Sequence, residues 1–168
     1  AGASGVLPAV LLPCRGRHSD AELVQALYVA AGFGQVIATR ASISGAEGGC
    51  QAEIGSASGM AAAALTALRG GTPQQCADAC AMALQNLLGL VCDPVGGLVE
   101  IPCVKRNVIG AMNALSAAEM ALAGIGSAIP CDEVIDAMRA VGDALPPSLR
   151  ETGEGGLAAT PTARRLEL

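Results

Sequence analysis

Apolar and polar positions recur with a helical period through most of the chain. Behind Ser19-Asp20-Ala21-Glu22, the residues Leu23, Leu27, Ala30 and Ala31 fall on one face of a helix over roughly 20–38. Ser19 and Glu22 read as a capping box: the Ser19 hydroxyl accepts from the residue-22 N–H while Glu22 reaches back. Residues 39–49 read as loop. A second helix runs over about 50–69 and stops at Arg69-Gly70-Gly71, a C-terminal glycine signal. Thr72 as N-cap and Pro73 at the first helical position start a third helix, which continues to about Leu88. Residues 89–107, "GLVCDPVGGLVEIPCVKRN", form a long connection in which Pro94 and Pro102 bias the preceding residues away from helix. A fourth helix follows over about 104–123. A fifth opens at Ile129-Pro130-Cys131 and ends near Leu145, and the tail from Pro146 is irregular. With no run alternating at the strand period, the pattern predicts an all-α fold. It is a compact Ala/Leu-rich helical domain with long Gly/Pro loops, spanning 1–168 without internal repeats.

Composition sharpens this picture. The chain has 168 residues, 52% of them hydrophobic, but one Phe, one Tyr and no Trp. Its core must therefore be built from Ala, Leu, Val, Ile and Met, which suits closely packed helices. Net charge is −5 with ten Lys plus Arg and no basic stripe, which argues against nucleic-acid binding. No unbroken apolar run reaches the roughly 18 residues of a membrane span, and no signal peptide is evident. The opening "AGASGVLPAVLL" reads as packed protein and position 1 is Ala, so the chain is expected to begin inside a larger domain or to be processed.

Seven cysteines is an odd count in a chain too long for a small disulfide scaffold. That predicts a reduced, cytoplasmic setting, where thiols fill cores, bind metals or act as nucleophiles. Cys76 and Cys80, at i and i+4, share a helix face and read as small-residue packing. Cys14 and Cys131 read as structural. Cys50, Cys92 and Cys103 differ, because each stands where a glycine or proline loop meets a helix. Thiols at helix N-termini are expected to have lowered pKa, which favours the metal-binding thiolate. Residue type alone leaves a three-thiolate metal site and simple packing both open. Three cysteines on an iron–sulfur cluster would leave one iron free to act as a Lewis acid. The one histidine, His18, reads as a solvated loop residue.

The segments "SISGAEGGCQAEIGSASGMAAAAL", "NLLGLVCDPVGGLVEIPCVKRN" and "LRETGEGGLAATPT" resemble the α chain of the iron–sulfur-dependent L-serine dehydratases, closest to the two-subunit bacterial type. The resemblance covers essentially the whole chain. It implies an L-serine ammonia-lyase that yields pyruvate and ammonia without pyridoxal phosphate. It also implies a [4Fe–4S] cluster held by Cys50, Cys92 and Cys103, whose open iron activates the serine hydroxyl. The implied partners are L-serine and a β subunit or β domain, in an oligomer. The family's α chain has a further segment that would precede residue 1, and the β portion carries a candidate histidine base. The chain by itself is therefore expected not to turn over serine. Some members use a C-terminal cysteine to occupy the open iron; the last cysteine here is Cys131.

Within the matching motifs, Ser44 and Glu47 precede Cys50, Arg106 and Asn107 follow Cys103, and Arg150 and Thr152 lie in the tail. These are the candidate substrate-binding residues; Arg106 or Arg150 can clamp a carboxylate with paired hydrogen bonds. Against this stands their use as caps and surface pairs. Two other functions remain in view: a related iron–sulfur lyase acting on another small amino acid, and a structural helical domain without a cluster.

Overall fold

The computed structural model describes residues 2–166. Its helices are α1 (Val6–Leu11), α2 (Asp20–Arg40), α3 (Gly45–Gly48), α4 (Ser56–Leu68), α5 (Pro73–Gln85), α6 (Cys103–Leu122) and α7 (Cys131–Ala144). A π-helical turn, Gln51–Gly55, leads into α4, and short 3-10 turns fill much of the remainder. The fold is all-α. Among the described residues the only strand-like pairings are two isolated bridges, Arg15 with His18 and Cys92 with Arg150.

Helix α4 is the axis of the fold. Ala61, Ala62, Ala63, Ala64 and Leu65 are all at 0% exposure. Alanine both favours helix and lets neighbouring backbones approach, so α1, α2, α5 and α6 can surround α4. A second cluster, with Ile37, Ala63, Cys80, Leu84, Ile135 and Met138, fastens α7 to α2, α4 and α5. Cys76 and Cys80 are buried within it, consistent with packing. The Ser58 hydroxyl donates to the Gly110 carbonyl at 2.8 Å, and the Asn113 amide donates to Ser58 Oγ at 2.9 Å, stitching α6 to α4. Both expected helix starts are present. Ser19 with Glu22 and Thr72 with Gln75 each form a reciprocal capping box.

The structure departs from the sequence expectations at several points. Residues 6–11, where no helix is expected, form α1; Pro8 is tolerated because a proline in the first helical turn removes an N–H that has no intrahelical partner anyway. On α2 the buried face is Ala26, Ala30 and Ile37, whereas Leu27 is 48% exposed and Ala31 lies outside. Small residues face α4 because they permit the closest approach; the bulkier Leu27 is displaced to the rim. By length and composition α2 is also long and apolar enough to cross a membrane, with a mean hydropathy of 1.3, although Gln25 and Gln35 interrupt its apolar run. Here its small-residue face packs on α4. The expected second helix begins as the π turn, and the third stops at Gln85, before Leu88.

Candidate metal centre

Cys50 and Cys92 are brought together by the residue between Cys50 and Ala52. Gln51 is 1% exposed and works as a three-way tie. Its backbone N–H donates to the Leu90 carbonyl at 2.9 Å. Its side-chain oxygen accepts from the Gly89 N–H at 2.9 Å, and its side-chain nitrogen donates to the Met138 carbonyl at 3.0 Å. The loop leading to Cys92 is thereby strapped to the turn that begins at Cys50. Gly49, at φ +75°, makes the strap possible: a Cβ there would lie 2.7 Å from Leu145 Cδ1 and 2.9 Å from the Leu90 carbonyl.

Cys92 is held from its other side by the tail. Its N–H donates to the Leu149 carbonyl at 2.9 Å, and its carbonyl accepts from the Glu151 N–H at 2.8 Å. The adjacent Asp93 is 2% exposed. One carboxylate oxygen accepts from Arg106 Nη1 at 2.6 Å and the other from the Leu157 N–H at 2.7 Å. This explains the second glycine of the pair in "ETGEGGL". Gly156 has φ +57°, and a Cβ there would overlap the Asp93 side chain.

Cys103 opens α6 and is 6% exposed. One turn on, Arg106 Nη1 also donates to the Val91 carbonyl at 2.9 Å and lies 4.0 Å from Cys50 Sγ. All three thiols are buried, and Cys50 and Cys92 share an apolar cluster with Ala3 and Ile54. Cys50 Sγ, Cys92 Sγ and a Glu53 carboxylate oxygen lie within 4.8 Å of one another. Gly45 supplies the space: a Cβ on it would stand 3.0 Å from Cys92 Sγ and 3.1 Å from Glu53 Oε2. The donor set fits a thiolate-bound iron–sulfur group: soft sulfur ligands, an apolar surround and a bare glycine at its edge.

The electrostatics divide the thiols. Hydrogen bonding from Cys92, helped by the Arg106 guanidinium, holds Cys50 below its ordinary value despite burial. Cys92 is pushed up, first by retaining the proton it shares with Cys50 and then by burial. Burial, followed by the charge of Cys50, also pushes Cys103 up. The expectation that all three thiols are lowered by helix N-termini therefore fails for Cys92 and Cys103. At Cys103 desolvation of the thiolate outweighs the helix-end field, and at Cys92 the proton held against Cys50 does so first.

The structure distributes the substrate-binding candidates unevenly. Arg106 is engaged in a buried ion pair with Asp93. Asn107 donates its amide to the Cys103 carbonyl at 2.9 Å, leaving its Oδ1 buried with no hydrogen-bond partner. Ser56 Oγ is in the same state. Ser44 precedes Gly45, and its N–H donates to Ser42 Oγ at 3.0 Å. Glu47 accepts from the Ser42 hydroxyl at 2.5 Å and, through its carbonyl, from Arg150 Nη1 at 3.4 Å. Glu47, Arg150 and Arg139 line a polar cavity of about 470 Å³ between α3 and α7. Thr152 donates to the Pro147 carbonyl at 3.1 Å within the tail. His18 Nδ1 stands 3.7 Å from Glu22 on the first turn of α2.

Sequence reasoning missed Glu53 and Asp93. Glu53 carried a signal, since a Cys-x-x-Glu spacing shares a helical face. Asp93 is adjacent to Cys92, but nothing local tells that it pairs with Arg106.

A family model described as "Serine dehydratase alpha chain" matches residues 1–158. The chain is 61% identical, over 169 aligned positions, to the "Probable L-serine dehydratase, alpha chain" of Bacillus subtilis, covering 99% of this chain and 56% of that protein. Against the protein of the same name in Latilactobacillus sakei it is 58% identical, covering 100% of this chain and 81% of the relative. Against the "L-serine dehydratase, alpha chain" of Peptoniphilus asaccharolyticus it is 48% identical, covering 99% and 58% respectively. The chain thus spans little more than half the length of two of these three relatives.

Proposed function

The chain belongs to the serine dehydratase alpha chain family, and we propose that it carries the metal centre of a cytoplasmic L-serine ammonia-lyase that works with a β portion. The observation that supports this reading is the meeting of Cys50 and Cys92, from separate segments, at one buried spot, with Cys103 buried at the start of α6 one turn before the Arg106 that reaches Cys50 Sγ. These three cysteines would hold a [4Fe–4S] cluster. When bound, such a cluster supplies Lewis acidity for the serine hydroxyl at an iron that lacks a protein thiolate.

The chain's own residues support the chemistry by position. Arg106, fixed by Asp93 and the Val91 carbonyl, keeps a positive charge 4.0 Å from Cys50 Sγ and so favours the ligand thiolate. Asn107, whose Oδ1 is buried with no hydrogen-bond partner one turn after Cys103, is the candidate on α6 to meet the substrate's ammonium. Arg150, with Glu47 beside it, is the candidate to hold a carboxylate at the polar cavity; Ser44 opens the turn that carries Glu47, and Thr152 steadies the tail that carries Arg150. The α-proton requires a base that we assign to the β portion.

Anaerobic reconstitution with iron and sulfide tests the reading. The expected result is about four irons per chain and a broad brown absorption. Cys92→Ala and Cys103→Ser should each prevent full loading. With the remaining portions added, the loaded protein should form pyruvate from L-serine. Four-iron loading that survives Cys103→Ser would overturn the assignment.

A further inference from the structure

Away from the metal centre the fold brings a second pair of thiols into contact. Cys80 lies on α5, and Cys131 is the first residue of α7. Cys80 is at 0% exposure inside the cluster that fastens α7 to α5. Cys131 packs on the edge of that cluster and is only half-buried. Gly59 on α4 leaves room for the Cys80 sulfur, since a Cβ there would stand 3.0 Å from Cys80 Sγ. The two thiols share a hydrogen bond.

The pair is asymmetric. The hydrogen bond from Cys80 holds Cys131 below its ordinary value, against burial and the charges of Asp132 and Asp78. Cys80 keeps the proton and is pushed up. Cys131 also opens a 14-residue helix whose N-cap, Pro130, offers no capping side chain, so the helix-end field favours a thiolate there. The other cysteines outside the metal centre lack this combination. Cys14 is half-buried too, but its thiol donates to the Val10 carbonyl at 3.7 Å. Cys76 is buried, and burial pushes its thiol up.

We propose that Cys131 is a site of oxidation by hydrogen peroxide and that Cys80 resolves it as a disulfide within the chain. The Cys131 thiolate attacks one peroxide oxygen and the O–O bond breaks. This leaves a sulfenic acid and a hydroxide, which takes a proton from solvent. The Cys80 sulfur then attacks the Cys131 sulfur. The S–S bond forms, the S–O bond breaks, and the hydroxyl departs with the Cys80 proton as water. Two thiols and one peroxide thus become one disulfide and two waters. The bond ties α5 to the first turn of α7, the helix whose Met138 carbonyl holds the Gln51 amide beside Cys50. The pair is independent of the function proposed above and shares no residue with the metal centre.

Mass spectrometry of tryptic fragments tests this. The reduced protein, kept dilute, is treated with hydrogen peroxide, and its remaining thiols are then alkylated. Cleavage after Arg40, Arg69, Lys105, Arg106 and Arg139 puts Cys50, Cys80 and Cys131 on three different fragments. Fragments 70–105 and 107–139 should be joined, and dithiothreitol should separate them. Fragment 70–105 also carries Cys76, Cys92 and Cys103, so sequencing the joined pair must place the bond at Cys80. Cys76→Ala should keep the join. Cys80→Ala should lose it and leave Cys131 as a sulfenic acid that dimedone captures. Circular dichroism shows whether each variant is folded, and the bond position in the unaltered chain decides the matter if one is not. The proposal is overturned by the absence of a join, by a bond at another cysteine, or by dimedone on Cys131 of the unaltered chain without a join. It is equally overturned if Cys14 oxidises while Cys131 stays a thiol.

Discussion

At the scale of single residues, Asp93 fixes the most with the least. Its carboxylate is buried and satisfied by one guanidinium and one backbone N–H, which connect the Cys92 loop, α6 and the tail. Removing it strands Arg106 at a site where its side chain is 15% exposed. Asp93→Ala should therefore cost about 3 to 5 kcal/mol, the range for orphaning one partner of a buried pair. Urea unfolding checks this, and a loss under about 1 kcal/mol, the surface-pair range, would show that water replaces the carboxylate. Gly156→Ala attacks the same junction from the tail. It combines a left-handed φ with overlap on Asp93 and should cost on the order of 1 to 3 kcal/mol. Neither role was legible beforehand. Asp93 and Arg106 are separated by a proline-rich connection, and their pairing is a product of the fold.

Between elements, the decisive contact is α3 on α7. A Cβ on Gly142 would lie 2.9 Å from Gly48 Cα, so the two backbones touch. Gly142→Ala should push α7 away from α3, costing about 1 to 3 kcal/mol as overpacking does. Because α3 carries Gly45, which stands against Cys92 Sγ, the same variant should lower iron loading, which anaerobic reconstitution would detect. Unchanged loading would mean that α3 moves as a rigid unit with Cys50. At this scale the sequence was informative where chemistry is local. The capping boxes at Ser19 and Thr72 and the start of α6 at Cys103 follow from neighbouring residues. It was silent where geometry is set across elements. The inward face of α2 depends on what α4 can accept, and the meeting of Cys50 with Cys92 depends on where Gln51 finds its partners. The π turn made Glu53 easy to overlook as a neighbour of both thiols.

For the whole molecule, the buried thiols set a pH limit. Burial raises the folded-state pKa of Cys76 and Cys103 above the ordinary 9.0, and Cys80 is pushed up first by the proton it holds against Cys131 and then by burial. Below that value the thiols are protonated in both states and this source of stability is fully present. As pH rises past 9 the unfolded chain loses protons that the folded chain retains, so stability falls towards the folded pKa values. The metal-free protein should unfold at lower urea at pH 10 than at pH 8. A midpoint that stays level would mean that the thiols ionise in place. The enclosure of α4 carries a different consequence, for the exchange of amide hydrogens with deuterium. Its alanine run is covered on every side, so its N–H groups meet solvent only when the entire bundle comes apart. Exchange at Ala61–Leu65 should therefore be the slowest in the chain and measure the free energy of complete unfolding. The short turns after Pro147 should exchange through small local openings, so one deuterium experiment would read the two stabilities separately.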